Sequence, residues 1–392
     1  MLISALDTPL AGAGTAPATR PGRARPPRAT RACAPRSGPD RAASSRAIGP
    51  APSIAIAAAL AAALLGGCAA SAGGPTSAGP VSTAVEATWP LPTWATGIAL
   101  SPDGTRAWLA AGSKILSIDT ATGAAGPTID TGGMPYALAI ASDGATGVAA
   151  DLMQQQAWVL RLGAQPGSQR LWVGTPSSPV LRPGAAIAPD GTRAFTTTSH
   201  PTMGNGFDQL HVVDIAAASQ RGRNLPFHPG SLAVSADGTL LHVAGCTGIC
   251  SYGELHTLDA TSGEEASPAI TLQSSIPGQL ALSPDGRTAW VANALAGTVA
   301  ALDLVGRSVL ATVAVGAEPL GVAVSPDGTR VYVTCFQSGT LVAIDTASRS
   351  VVARARVGGE PRALAIAPDG RTAWLTHSRP ILTKIDLTQL GA

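Results

Sequence analysis

Acid–base chemistry at neutral pH calls first for histidine, and the chain has six. His211 and His256 fall within apolar alternating stretches, and His242 takes a place held elsewhere by aromatic rings, so all three read as packing residues. His228 and His377 stand at the ends of such stretches. His228 shares its place, one residue ahead of a proline, with Glu318 and Glu360, and Arg182 precedes Pro183 in the same way. A histidine base oriented by a glutamate, or a glutamate holding a divalent cation, would suit a hydrolase or lyase. The plainer reading is that any channel mouth is lined by something polar. Several other chemistries lack their residues: there is no Gly-x-Ser-x-Gly elbow, His-Glu-x-x-His pair, Gly-rich phosphate loop or Cys-x-x-Cys-His haem site.

The elements that must position these residues come from a repeat. A short apolar strand, a Pro-Asp-Gly-like turn and a second strand recur seven times, with turn aspartates at Asp103, Asp143, Asp190, Asp237, Asp285, Asp327 and Asp369. The steps between them are 40, 47, 47, 48, 42 and 42 residues. Asp-Gly before a β-branched run signals a hairpin, and forty-odd residues with several strands per period signal a propeller. Five residues after the turn Asp stands Trp108, Phe195, Trp290, Tyr332 or Trp374, with Val148 and His242 as departures. A ring at one fixed place per repeat packs one blade on the next. Asp119, Asp214, Asp259, Asp303, Asp345 and Asp386 close the third strands as turn residues. The last repeat lacks room for a fourth strand, so Val81–Thr88 is expected to pair beside Ile381–Asp386 and close the ring.

Phrases such as Pro319-Leu320-Gly321-Val322-Ala323-Val324-Ser325-Pro326-Asp327-Gly328-Thr329-Arg330-Val331-Tyr332-Val333-Thr334 resemble the YVTN-type β-propeller repeat. The resemblance covers about residues 81–389 and implies an all-β, seven-bladed β-propeller. Members of that family are usually extracytoplasmic. Their seven-bladed relatives include lactonases, lyases, redox-enzyme domains and DNA-binding or adhesive proteins, so the fold selects no single activity.

The first 80 residues are of another kind. Residues 1–50 carry eight Arg and no Lys, have no apolar periodicity, and are expected to be a disordered leader. Residues 51–68 combine an apolar run with Leu65-Gly66-Gly67-Cys68, which resembles a bacterial lipobox with Cys68 as the lipidated residue. An ordinary signal peptide with an incidental cysteine is the alternative. Residues 69–80 are small and suit a flexible tether to the propeller at 81–392. The leader holds 8 of the 26 basic residues and 2 of the 24 acidic ones, so the chain beyond Cys68 is near −4. That disfavours a nucleic-acid partner, which needs a basic face. Cys246 and Cys250 read as a local disulfide, with a metal pair the weaker option, and Cys335 as a buried apolar residue.

Repeat length varies on one side only. Segments 200–208 and 246–254 are extra, and both lie opposite the Asp-Gly turns. Arg182, His228, Glu318, Glu360 and His377 are expected to converge at the channel mouth on that face and bind a protein or small molecule. The expected protein is a monomeric, exported, lipid-anchored binding platform of the cell envelope, touching the membrane through its anchor alone. The alternatives are a lactonase-like hydrolase or lyase at the mouth and an accessory domain for extracytoplasmic redox metabolism. The residues do not identify a cofactor, and a divalent cation belongs to the hydrolase or lyase alternative.

Overall fold

The computed structural model describes residues 84–153, 156–172, 182–199, 208–248, 250, 252–272 and 277–390. The 1–50 leader, the 51–68 lipobox segment with Cys68, and the 69–80 tether lie outside the described residues, as does 200–207. Among the described residues there are seven four-stranded antiparallel sheets and one short 3-10 turn, Leu387–Leu390. The protein is an all-β, seven-bladed propeller. Six sheets are each one repeat, running from an inner strand outwards, and the seventh joins the last repeat to the first described strand. Blade 1 takes Ala95–Leu100, Arg106–Ala111, Lys114–Asp119 and Ala125–Asp130, and blade 6 takes Pro319–Val324, Arg330–Cys335, Thr340–Asp345 and Ser350–Arg356. Inner strands of successive blades touch all the way round, with blade 7 returning to blade 1.

The ring closes through the chain's first described strand. Val85–Pro90 is the outermost strand of blade 7, paired antiparallel to Ile381–Asp386 with Thr88 opposite Thr383 and Trp89 opposite Leu382. The pairing is as expected, but the strand lies later than 81–88. Trp89 moves it: the indole stacks on Trp374 at 5.2 Å, and extending the strand to Pro90 brings that ring into register. Lys384 and Glu86 add an ion pair at 2.7 Å.

Every seam between blades has its own apolar core. Trp108, Phe195, Trp290, Tyr332 and Trp374 are all buried and each sits in the cluster shared with the following blade, so the repeated ring is a packing element. His242 is buried too, bonded at Nδ1 to the Thr257 hydroxyl at 3.1 Å, and desolvation pushes its pKa down to about 4.

The Asp-Gly turns hold themselves and their neighbours. In blade 1 the Ser101 hydroxyl donates to Asp103 at 2.5 Å, and the Thr105 N–H follows at 3.0 Å. Those bonds keep the Asp103 carboxyl below its ordinary value, and in blade 4 the same arrangement takes Asp237 to about 2. The proline has a second use. A Cβ placed on Gly144 would sit 3.3 Å from the Pro102 ring of the preceding blade, and Gly104, Gly238, Gly328 and Gly370 meet Pro368, Pro189, Pro284 and Pro326 in the same way. Ser142 and Ala236 stand where blades 2 and 4 lack that proline, and the following Gly191 and Gly286 meet no ring. Ala236 is the second residue of a turn closed by Gly238 N–H to Ser235 O at 2.9 Å, a place that suits proline. Ala236→Pro is therefore expected to raise stability by about 0.4–1 kcal/mol, read from a denaturant midpoint shift at constant m-value. An unchanged or lower midpoint would count against the ring contact.

Blade 4 differs from expectation at its end. The described residues there lengthen a hairpin: Leu240–Thr247 and Tyr252–Asp259 run two residues beyond most strands, with Thr247 opposite Tyr252. Cys246 and Cys250 are joined by a disulfide across the hairpin tip, Cα to Cα 4.9 Å. Cys335 is fully buried, and its thiol is pushed up to about 11 by desolvation.

Candidate functional site

A backbone irregularity makes the channel. In six blades the inner strand loses register with the second strand just after its start, as between Pro319 and Val322 or Pro361 and Leu364. A bulge leaves one or two residues unpaired and turns their side chains aside. Those residues line the central cavity, of about 190 Å3, together with Arg182 to Ala185 of blade 3. Thr96, Tyr136, Arg182, Ser231, Gln279 and Arg362 carry its polar groups. The two arginines are its only charged lining among the described residues.

Close packing at the bulge depends on small residues. A Cβ on Gly97 would lie 2.4 Å from the Tyr136 carbonyl oxygen of the next blade, and one on Gly321 would lie 2.7 Å from the Arg362 carbonyl. Thr334 uses that approach: its hydroxyl donates to the Arg362 carbonyl at 2.8 Å and accepts the Gly321 N–H at 2.9 Å. Gly97→Ala is expected to cost about 1–3 kcal/mol, because backbone, not a flexible side-chain tip, must move. Chemical denaturation would measure this, and a neutral result would mean the inner strands are looser than drawn.

Of the five residues expected at the mouth, the structure leaves only Arg182 in the cavity. His377 is fully buried at the end of its strand, bonded through Nε2 to the Thr383 hydroxyl at 2.9 Å, with its pKa lowered by burial. Its counterparts Asp151, Asn293 and Cys335 are buried as well, so the second-strand ends form a layer beneath the mouth and not its wall. Glu318 and Glu360 stand at the blade junctions, half-buried and exposed respectively, outside the cavity lining. Both have left-handed backbone, φ 55° and 58°, which turns their carbonyls to cap the second strand through Phe336 N–H at 2.9 Å and Ser378 N–H at 3.1 Å. Arg182 shares the sign, at φ 38°. Non-glycine residues adopt this at a cost of about 1 kcal/mol or more, so the junctions are held against their preference.

His228 is engaged elsewhere. Its Nδ1 lies 3.0 Å from Asp208 Oδ1 and its Nε2 lies 2.9 Å from the Gly248 carbonyl. Both partners only accept, so both ring nitrogens carry hydrogen and the ring is an imidazolium. Asp208 also accepts the Ser199 hydroxyl at 2.7 Å. The side chains of His228 and Asp208 are 12% and 3% exposed, and Asp208 raises the His228 pKa. Serine, aspartate and histidine thus meet, but with the carboxylate in the middle. The histidine cannot take the serine's proton in this order. The cluster clasps blade 3 to the disulfide tip of blade 4.

Arg362 is the lining residue that sequence reasoning missed. Its guanidinium lies over the Phe336 ring, 5.1 Å from the centroid, and its Nε donates to the Ser378 hydroxyl at 2.9 Å. A signal existed: seven residues before the turn Asp the repeats read Thr96, Tyr136, Pro183, Gly230, Gly278, Leu320 and Arg362, a single charge among them. The described residues hold no group of three or more His, Cys, Asp or Glu placed to share one metal ion.

No protein-family model matches the chain, and no curated protein matches it in sequence. Among solved structures, Kuenenia stuttgartiensis hydrazine synthase is similar with a TM-score of 0.65 at 19% identity, covering 80% of this chain and 99% of that one. At that identity the likeness is one of fold, and it agrees with the seven blades.

Proposed function

We propose that the protein is an exported, lipid-anchored propeller of the YVTN-repeat type that acts as a binding platform in the cell envelope, through the face opposite its Asp-Gly turns. The observation that carries the platform reading is the fate of the candidate acid–base residues. His228 is bonded within the protein at both nitrogens and His377 is buried, while Glu318 and Glu360 stand apart at the rim. What remains open to a solute is a cavity with two arginines and neutral polar groups, a set suited to holding and not to proton transfer. No observation favours a lactonase-like hydrolase or lyase over this. Export and anchoring rest on Leu65-Gly66-Gly67-Cys68 and the small residues after it.

The test has two arms. Fractionation of cells expressing the wild type and Cys68→Ser is expected to show the wild type with membranes and the variant released from them. A Cys68→Ser protein that stays membrane-bound would overturn the anchor. Incubating the purified protein with aryl esters and lactones, with and without divalent cations, is expected to give no turnover above background. Turnover abolished by His228→Gln or His377→Gln would replace the platform by an enzyme.

A further inference from the structure

We infer that the central channel is a binding site for a small organic oxyanion, a carboxylate or phosphate, gripped by Arg362 and Arg182. The inference rests on the platform reading and gives it a ligand class. Arg362 is one of the bulge residues that the register shift between Pro361 and Leu364 turns into the cavity. The Phe336 ring facing its Cζ and the Ser378 hydroxyl at its Nε hold the guanidinium in place. Its two terminal nitrogens, with four N–H groups, meet no acceptor among the described residues. A half-buried guanidinium so fixed presents a planar donor fork, the geometry that recognises a carboxylate or phosphate edge.

The surroundings favour the same charge. Arg182, also half-buried and without an ion-pair partner among the described residues, lines the same cavity from blade 3. No Asp or Glu is among the described residues that line it, and the junction glutamates Glu318 and Glu360 make no ion pair with either arginine. Two cations with no ion-pair partner among the described residues line one confined space, and their summed positive potential favours an anion there. Tyr136 and Gln279 add neutral polar groups to the wall. The space of about 190 Å3 is large enough to admit a small organic anion.

Calorimetric titration of the purified full-length protein with succinate, succinamide and inorganic phosphate tests this. Succinate or phosphate is expected to bind more tightly than about 1 mM at low salt, and neutral succinamide not at all. The stronger of the two anions identifies which oxyanion geometry the site prefers. Arg362→Gln and Arg182→Gln are each expected to weaken binding about tenfold or more. Arg362→Lys, which keeps charge but loses the fork, should fall between. Arg356→Gln, an exposed cation on an outer strand, should leave affinity unchanged. Equal binding of succinamide, equal loss in Arg356→Gln, or no binding of either anion would overturn the site. Thermal midpoints of the unliganded variants within a degree or two of wild type would separate lost binding from lost folding. Because the readout is affinity, failure here leaves the membrane-fractionation and turnover results standing on their own.

Discussion

A chain shortened to begin at Leu91 is expected to lose most of its folding free energy and to aggregate. The deletion removes one of the 28 strands among the described residues, yet that strand is the outer edge of blade 7 and ties the start of the propeller into its last blade by backbone hydrogen bonds. Without it Ile381–Asp386 becomes an open edge whose N–H and C=O groups can pair with another chain. The stack of Trp89 on Trp374 goes, and with it the cover over the seam of blades 7 and 1, where Trp89 and Leu91 pack with Ile98 and Leu382. The buried Ala84, whose carbonyl accepts the Asp386 N–H at 2.9 Å, is lost from the opposite seam. Together these reach several kcal/mol, the scale of a domain's whole stability. The milder Trp89→Ala should cost about 3 kcal/mol at most, since the indole is only half-buried. Denaturant unfolding of both, with light scattering for the deletion, measures the effect. A monomeric truncated chain with an unchanged midpoint would mean that the ring does not depend on this closure.

The second large effect concerns the His228 clasp, and it carries a pH signature. Asp208→Ala leaves a nearly buried imidazolium without its counter-charge and Ser199 without its acceptor. Breaking such a pair costs about 3 kcal/mol where the histidine is protonated. Asp208 is the charged group facing the ring and raises its folded pKa above 6.5. The clasp therefore contributes fully below pH 6.5 and fades as the pH rises through the raised folded value, where His228 gives up its proton. The gap between wild type and Asp208→Ala should be widest in mild acid and narrow in alkali. Unfolding free energies across that range test it. A gap independent of pH would show that the bond, and not the charge, holds the two blades.

The blades were legible in the sequence because their determinants are local. Asp-Gly dictates a turn and alternating residues dictate strands, so the count of seven and the closure followed from seven phrases and an incomplete last repeat. The closing strand's exact place was not local. It depends on Trp89 reaching Trp374, which stands 285 residues later. The mouth was harder for a related reason. His377 and Arg362 belong to the same blade, yet one is buried and the other enters the channel because of a bulge that no residue announces. Proline marked the start of five of the seven inner strands, and the side chains that matter lie just after it.

The proline-on-glycine contacts also make the propeller a bracelet of unequal links. Five joints carry both a proline and a buried ring: Pro102 with Trp108, Pro189 with Phe195, Pro284 with Trp290, Pro326 with Tyr332, and Pro368 with Trp374. The joints after blades 2 and 4 lack the proline, having Ser142 and Ala236 there, and carry Val148 and the smaller His242 ring in place of the large one. The two loose joints bracket blades 3 and 4, which are locked to each other by Asp208 and His228. Such a ring breathes at its loose joints first, and what swings is the bracketed pair as one body. Backbone amides of the described strands of blades 3 and 4, from Ala185 to Leu272, should then exchange with solvent together, ahead of the other five blades.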